Sequence, residues 1–512
     1  MKSHSSGRLP ICLALLVAIG CLPAYRGVAS VSLPSTPEAL KAREQFTRYR
    51  NRVAAAEELA KGNDYATVEK ALADAAADPL FDVLPRSDQR ALLSSAAWVA
   101  MQLGKYAGSR DLYLRATVAD PGEPDDWYRM AIMERWLGEN EAAASHLIHL
   151  ATTWPDLADN MQVDQVVALV HGLDPASEKR LALLQALFDA GWTRGKAGAS
   201  SEWYELALMQ VQRGLMAQAR ATIARIVDPD ELAGLQADKR FDALMEDRRP
   251  APTVEEAALQ QVERLREQTG LLPRRLRLRT ELISALLTVG RDQEALELVD
   301  QLLATLASAP ADEPPFEDMD ESVWLVESRS TALRRLGRID EALDELVRAS
   351  RLDEGGGPNV SQMLNLGQFY CGLERPRDAL ATLGGVGDNI SDYGRMVRAS
   401  TQQCAALGTG NLAAAERALA YLRGHREDSQ QVFLDALIEA DRLDEAASTL
   451  VGLLGSPVDR GDTLRYLQEY REPDPLPGNV QSRARWKALL ARQDVQDALA
   501  RVGRIRRYDI YG

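Results

Sequence analysis

Two stretches of the chain repeat one arrangement of apolar, small and polar positions. The first runs Trp127-Tyr128-Arg129-Met130-Ala131, then Gly138, Ala143 and Pro155. The second runs Trp203-Tyr204-Glu205-Leu206-Ala207, then Gly214 and Ala219. In both, Trp precedes Gly by eleven residues and Ala follows Gly by five. An upstream stretch sets Gly104 before Ala116 and Pro121, and Gly104 to Gly138 is 34 residues. Downstream, Gly290 with Ala295, Gly337 with Ala342, Leu366-Gly367 and Tyr370 with Ala379, Gly410 with Ala415, and Asp441 with Ala446 keep the frame. The pattern predicts an all-α chain of helices about 10–16 residues long, arranged in antiparallel pairs.

Each position has a mechanical reason. Glycine permits the left-handed conformation that ends a first helix. The small residue five places later lets the second helix approach closely. A large aromatic fills the gap between neighbouring helices, and a terminal proline stops the second helix, as at Pro121 and Pro155. Period and residues together resemble the tetratricopeptide repeat (TPR) family. The resemblance implies a TPR-like helix-pair solenoid whose first helices line a concave groove for an extended peptide or a partner helix. Carried over unit by unit, it nominates Trp98, Tyr128, Arg129, Arg135, Trp136 and Tyr204 as groove residues, an aromatic and cationic lining suited to acidic or aromatic peptide segments. The competing reading is that these aromatics pack between repeats.

The spacing is irregular, so two or three solenoid blocks are expected rather than one smooth superhelix. Gly138 to Gly214 is 76 residues, which leaves room for a divergent helix pair near 160–190. Gly290 to Gly337 is 47, and the excess of 13 over one period matches an acidic, Pro-rich stretch at 308–320. Glu354-Gly355-Gly356-Gly357-Pro358 lengthens a later turn, and Arg249-Pro250-Ala251-Pro252 marks a break. The expected blocks are 38–250, 251–307 and 321–455, with 308–320 as a linker and 456–512 as capping helices and a basic tail.

Composition agrees with helices. Hydrophobic residues are 46% and aromatics only 6%, a mix that favours helix packing through small contacts over a β-sandwich. The net charge is −15 and the pI near 5.1, a balance that disfavours nonspecific nucleic-acid binding.

The N-terminus reads as a targeting segment: Lys2 and Arg8, then an apolar stretch from Leu9 to Gly20, too short to span a bilayer comfortably. Ala18-Ile19-Gly20-Cys21 resembles a bacterial lipobox with Cys21 lipidated and signal 1–20, although alanine replaces the usual leucine at its first position. Simple cleavage after Ala24, Ala29 or Ser30, giving signal 1–30, is the alternative; a buried N-terminal helix is the third reading. Export to the periplasm follows from either signal, soluble or anchored to the outer membrane as a lipoprotein. Contact with a membrane is expected only through such an anchor.

Catalytic chemistry is sparse. The glycines at 384, 385 and 387 lack a lysine and a preceding strand, and neither GxSxG nor HExxH occurs. His146 and His149, with His171 nearby, could share a helix face as metal ligands, but nothing completes the set at a ligand spacing. No metal or cofactor is expected. The run Arg274-Arg275-Leu276-Arg277-Leu278-Arg279 could meet an anionic surface, but reads better as a solvated helix face balanced by Glu255, Glu256, Glu263 and Glu267. The leading expectation is an exported, non-enzymatic interaction scaffold or assembly factor of the cell envelope that holds a protein or peptide. A peptide-holding chaperone, and an enzyme with a cryptic site in 156–200 or 460–512, are the alternatives.

Cys371 and Cys404 are 33 residues apart and fall on first helices of adjacent units. Packed helix axes lie about 8–10 Å apart, whereas a disulfide wants Cα atoms about 5.5–6 Å apart. A stagger of three residues adds about 4.5 Å along the axis. The expectation is two free thiols.

Overall fold

The computed structural model describes residues 64–512 except 195–197, 248–251, 311–312 and 355–356, together with scattered positions between 44 and 55. The expected signal, 1–30 or 1–20, and Cys21 lie outside the described residues. The described chain divides into two compact units, one ending at Ile223 and one from Ala224 to Gly512. The fold is all-α, as expected, and built of helix pairs.

The first unit contains α1 (Tyr65–Ala76), α2 (Arg86–Gln102), α3 (Tyr106–Ala119), α4 (Pro124–Trp136), α5 (Asn140–Thr153), α6 (Val163–Gly172), α7 (Glu178–Asp189), α8 (Ser200–Gln212) and α9 (Met216–Ile223). The second opens with α10 (Pro229–Ala237), α11 (Asp242–Asp247) and α12 (Val254–Leu271). Its pairs are α13 (Leu276–Thr288) with α14 (Asp292–Ser308), α15 (Ser322–Arg335) with α16 (Ile339–Ala349), and α17 (Val360–Gly372) with α18 (Pro376–Leu383). There follow α19 (Asp392–Gly408) with α20 (Leu412–Gly424), and α21 (Gln430–Glu439) with α22 (Leu443–Gly455). It ends with α23 (Arg460–Tyr466), α24 (Val480–Leu490) and α25 (Gln493–Val502). Short strands β1 (Asp353–Glu354) and β2 (Gly357–Pro358) pair antiparallel at the lengthened turn, and β3 (Glu469–Arg471) pairs in parallel with β4 (Arg507–Tyr511).

Local signals start and stop these helices. Ser177, Asn359 and Ser391 each accept a backbone N–H as N-caps, and Thr253 with Glu256 closes a capping box on α12. The turn glycines 104, 138, 214, 290, 337 and 410 all take positive φ. Glu374 and Asp441 occupy the equivalent turns at φ 57° and 59° without being glycine. Past each turn one backbone N–H reaches back five residues, from Lys105 to Ala100 O at 2.9 Å through Arg442 to Leu437 O at 2.8 Å, as in the Schellman motif. The alanine five residues on is closed off each time: Ala143, Ala219, Ala295, Ala342, Ala379 and Ala446 are at 0% exposure. Ser109 replaces it once, and its hydroxyl donates to Ala97 O at 2.7 Å. The divergent pair expected near 160–190 is α6 and α7, where Gly191 takes the left-handed turn.

The thiol expectation is overturned. Cys371 on α17 and Cys404 on α19 form a disulfide, with Cα atoms 6.3 Å apart. Gly367 on α17 faces Thr401 on α19: a Cβ on Gly367 would lie 3.1 Å from the Thr401 methyl. Absence of that one side chain brings the cysteines into reach.

The arginine run is answered from elsewhere than expected. Arg275 meets Glu317 at 2.9 Å and Asp318 at 3.4 Å, and Arg277 meets Glu321 at 3.1 Å. Arg279 lies over the buried Phe316 ring, and Glu317 N donates to Arg274 O at 2.9 Å. The acidic stretch after α14 thus docks on the run, while Glu263 pairs with Arg266 on its own helix.

The end of the second unit returns to its start. In the stretch 456–512, expected as capping helices and a basic tail, the residues after the last helix form the strand β4. Gly503 bridges Asp238, Arg504 N donates to Ala237 O at 3.0 Å, and the Arg504 guanidinium holds both Asp242 oxygens at 2.8 and 2.6 Å. Tyr508 and Ile510 of β4 are buried, and Arg335 stacks over the Tyr511 ring at 3.9 Å. Leu476 packs into the core around α13–α17, with Gly478 against the carbonyls that end α17. Arg485 donates to Glu439 O at 2.6 Å and so caps α21. The segment from β3 onward therefore lies across the C-terminal ends of first helices α15, α17 and α21.

Candidate partner-binding site

The six nominated groove residues are all engaged inside the first unit. Trp98 stands edge-on to Tyr65 at 5.5 Å, and Trp136 edge-on to Tyr106 at 4.9 Å. The Tyr128 hydroxyl accepts from Gln162 N at 2.9 Å, and burial pushes its pKa up to about 12. Arg135 Nε donates to Gln165 Oε1 at 2.9 Å, Arg129 lies half-buried beside the Tyr113 hydroxyl, and Tyr204 is buried. These residues are spread over α2, α4 and α8. Cys21 lies outside the described residues.

The histidines gather around an aromatic ring. His149 lies 4.3 Å and His146 5.5 Å from Trp127, and His146 Nδ1 is 2.7 Å from Glu134 Oε2. Among the described residues no group of three or more His, Cys, Asp or Glu is placed to hold a metal ion, and no helix is long and apolar enough to cross a membrane.

Around α23 the second unit assembles a different set. Asp435 and Glu439 stand one turn apart on α21. The Tyr466 hydroxyl donates to Asp435 Oδ1, and the Tyr466 ring meets Trp486 of α24 edge-on at 5.3 Å. Enclosure by protein pushes the Asp435 carboxyl up to about 6, against the Tyr466 bond that lowers it. Enclosure and the nearby Asp435 charge push Glu439 up to about 7. Burial likewise holds the Tyr466 hydroxyl far above its ordinary value. Yet Asp435 is exposed and Glu439 half-exposed.

On the other side of α23, Arg465 forms an ion pair with the buried Glu231 of α10 and one with Asp462 on its own helix. Desolvation still pushes Glu231 up to about 7. Tyr470 of β3 lies near Asp230, Glu231 and Tyr508, and burial raises its hydroxyl. This half closes the unit, whereas the Asp435–Glu439 half faces outward. The chain carried a signal for it: Gln431, Asp435 and Glu439 follow one another at four-residue steps on one helix face. The aromatic partners, 31 residues or more away, carried none.

No protein-family model matches the sequence, and a comparison with curated protein sequences finds no match. Solved structures with similar helical arrays include a tetratricopeptide repeat protein from Parabacteroides merdae, at TM-score 0.31 and 13% identity over 59% of this chain and 91% of that one. The Cut9–Hcn1 assembly aligns at TM-score 0.35 and 11% identity over 88% and 80%, and yeast Tom70 at 0.30 and 9% over 89% and 99%. With superpositions this loose, any functional reading rests on this chain's own side chains.

Proposed function

We propose that the protein is an exported interaction scaffold of the cell envelope, and that its second unit holds a cationic segment of a protein partner. The observation that carries the reading is the cluster in which the Tyr466 hydroxyl meets Asp435, the Tyr466 ring meets Trp486, and Glu439 follows one turn after Asp435. Two carboxylates beside aromatic faces offer a lysine or arginine an ion pair and a cation–π surface together. This differs from the acidic or aromatic partner that the tetratricopeptide resemblance implies for the first-unit residues. The Cys371–Cys404 bridge supports export, because disulfides persist in oxidising compartments.

A docked cation stabilises the ionised carboxylates, so binding releases protons. Affinity for a Lys/Arg peptide should therefore rise as pH increases from about 5.5 to about 8. Fluorescence anisotropy with a labelled Lys-Arg-Lys peptide on the full chain measures this. D435N/E439Q should lose both the affinity and its pH dependence. Equal binding by the variant, or binding that weakens as pH rises, refutes the site. Mass spectrometry of the mature N-terminus tests export; retention of Met1 refutes it.

A further inference from the structure

The Cys371–Cys404 bridge lies between the two supports of the Asp435, Tyr466 and Trp486 cluster. On one side, Gln403 precedes Cys404 on α19, is fully buried, and donates to Ala436 O at 2.8 Å. Ala436 lies on α21 between Asp435 and Glu439. On the other side, residues 476–479 sit directly on the end of α17. A Cβ on Gly478 would lie 2.5 Å from Cys371 O and 3.2 Å from Gly372 O, and a Cβ on Gly372 would lie 2.7 Å from a Leu476 methyl. Asn479 runs straight into α24, which carries Trp486. Arg485 of α24 donates to Glu439 O at 2.6 Å, so a shift of either helix reaches Glu439.

The bridge is within reach of a reductant, because Cys371 and Cys404 are both half-buried. The groups that transmit its position are packed: Gln403 is at 0% and Leu476 at 6% exposure. Opening the bridge changes the room its sulfurs need, since unbonded atoms stand about 3.5–4.0 Å apart. About one turn before each cysteine, Gly367 already faces the Thr401 methyl closely. Two thiols therefore press the end of α17 away from α19. Gly478 and Leu476 have no free space against that end, so the displacement passes to them and on to α24.

We propose that the Cys371–Cys404 bridge is a redox latch on the candidate partner site. Oxidised, it holds Trp486 of α24 and Asp435 of α21 together around Tyr466. Reduced, it lets the two helices part and weakens the hold on the cationic segment. The reductant is a dithiol: its thiolate attacks one bridge sulfur to form a mixed disulfide, and its second thiol then displaces the cysteine. Two electrons and two protons pass to Cys371 and Cys404, and the dithiol leaves as a disulfide. The proposal rests on the cationic-segment reading for its ligand, whereas the coupling of the bridge to α24 stands on the contacts alone.

The test uses the full chain at about pH 8, where affinity is expected to be highest. Binding of the labelled Lys-Arg-Lys peptide is read by anisotropy with and without dithiothreitol, and hydrogen exchange of residues 472–490 is followed without peptide. Reduction should weaken binding about fivefold or more, the lower end of ordinary coupling between linked sites, and should speed exchange in 472–490. C371S/C404S, which keeps two unbonded side chains of similar size, should match the reduced protein and ignore dithiothreitol. Equal affinity of oxidised and reduced protein, or a dithiothreitol effect that persists in C371S/C404S, overturns the latch. Unchanged exchange in 472–490 overturns the coupling whatever the peptide does. Faster exchange on reduction in a protein that never binds the peptide refutes the cationic reading and leaves the coupling standing.

Discussion

Replacing Cys371 and Cys404 together by alanine removes a bridge between residues 33 apart in sequence. For a loop of that length, the chain-entropy relation gives about 3.8 kcal/mol of stabilisation through the unfolded state. Native-state losses are smaller. Both cysteines are half-buried, so the truncation opens little cavity, and the Cys371 sulfur sits 3.7 Å from Thr401 O, a weak contact. The expected loss is therefore about 2–4 kcal/mol, the usual span for such bridges. It should fall on the second unit alone. Urea unfolding followed by hydrogen exchange resolves this: peptides from α17 and α19 should lose protection at lower urea in the variant, while those from α2 to α5 should not change. Reducing the unaltered protein should reproduce the variant. Thiol titration of denatured, unreduced protein lacking residues 1–30 should find no free thiol. Two free thiols, or coincident transitions for oxidised and variant protein, would refute the close approach at Gly367.

Closure of the second unit can be tested at Gly503, where an added Cβ would lie 2.7 Å from Ala237 O and 2.5 Å from a Leu464 methyl. A backbone carbonyl cannot swing aside, so Gly503→Ala should destabilise the unit by about 1–3 kcal/mol and speed amide exchange in β4; unchanged exchange there would count against the closure. Glu231 supplies the pH dependence. Its folded-state pKa is raised to about 7, so the folded state holds its proton more tightly than the unfolded chain. Its contribution is present at low pH and is lost as pH rises from about 4.5 through about 7. Urea midpoints of Glu231→Gln should show a flatter slope over that window than the unaltered protein; an identical slope would show that Arg465 already neutralises the cost.

The repeat frame was legible because it is local. A turn that reverses one helix onto the next needs a residue tolerant of the left-handed conformation and, five places on, a small residue; both recur at readable spacing. Even Glu374 and Asp441, turns without glycine, were found from the period around them. The frame does not say which side chains face outward. One residue turns a helix by about 100°, and Tyr128 and Arg135, read as groove residues, reach Gln162 and Gln165 at the start of α6. What sequence could not supply was pairing at a distance. Glu231 meets Arg465 across 234 residues and Asp242 meets Arg504 across 262; the arginine run meets the acidic stretch 40 or more residues later. No periodicity links such partners. Within the second unit, only packing brings α23 back to α10 and β4 back to α12, and sets Tyr466 against Asp435. The disulfide has the same origin: a missing Cβ at Gly367 is visible in the sequence, but that it faces Thr401 is decided only when α17 and α19 pack.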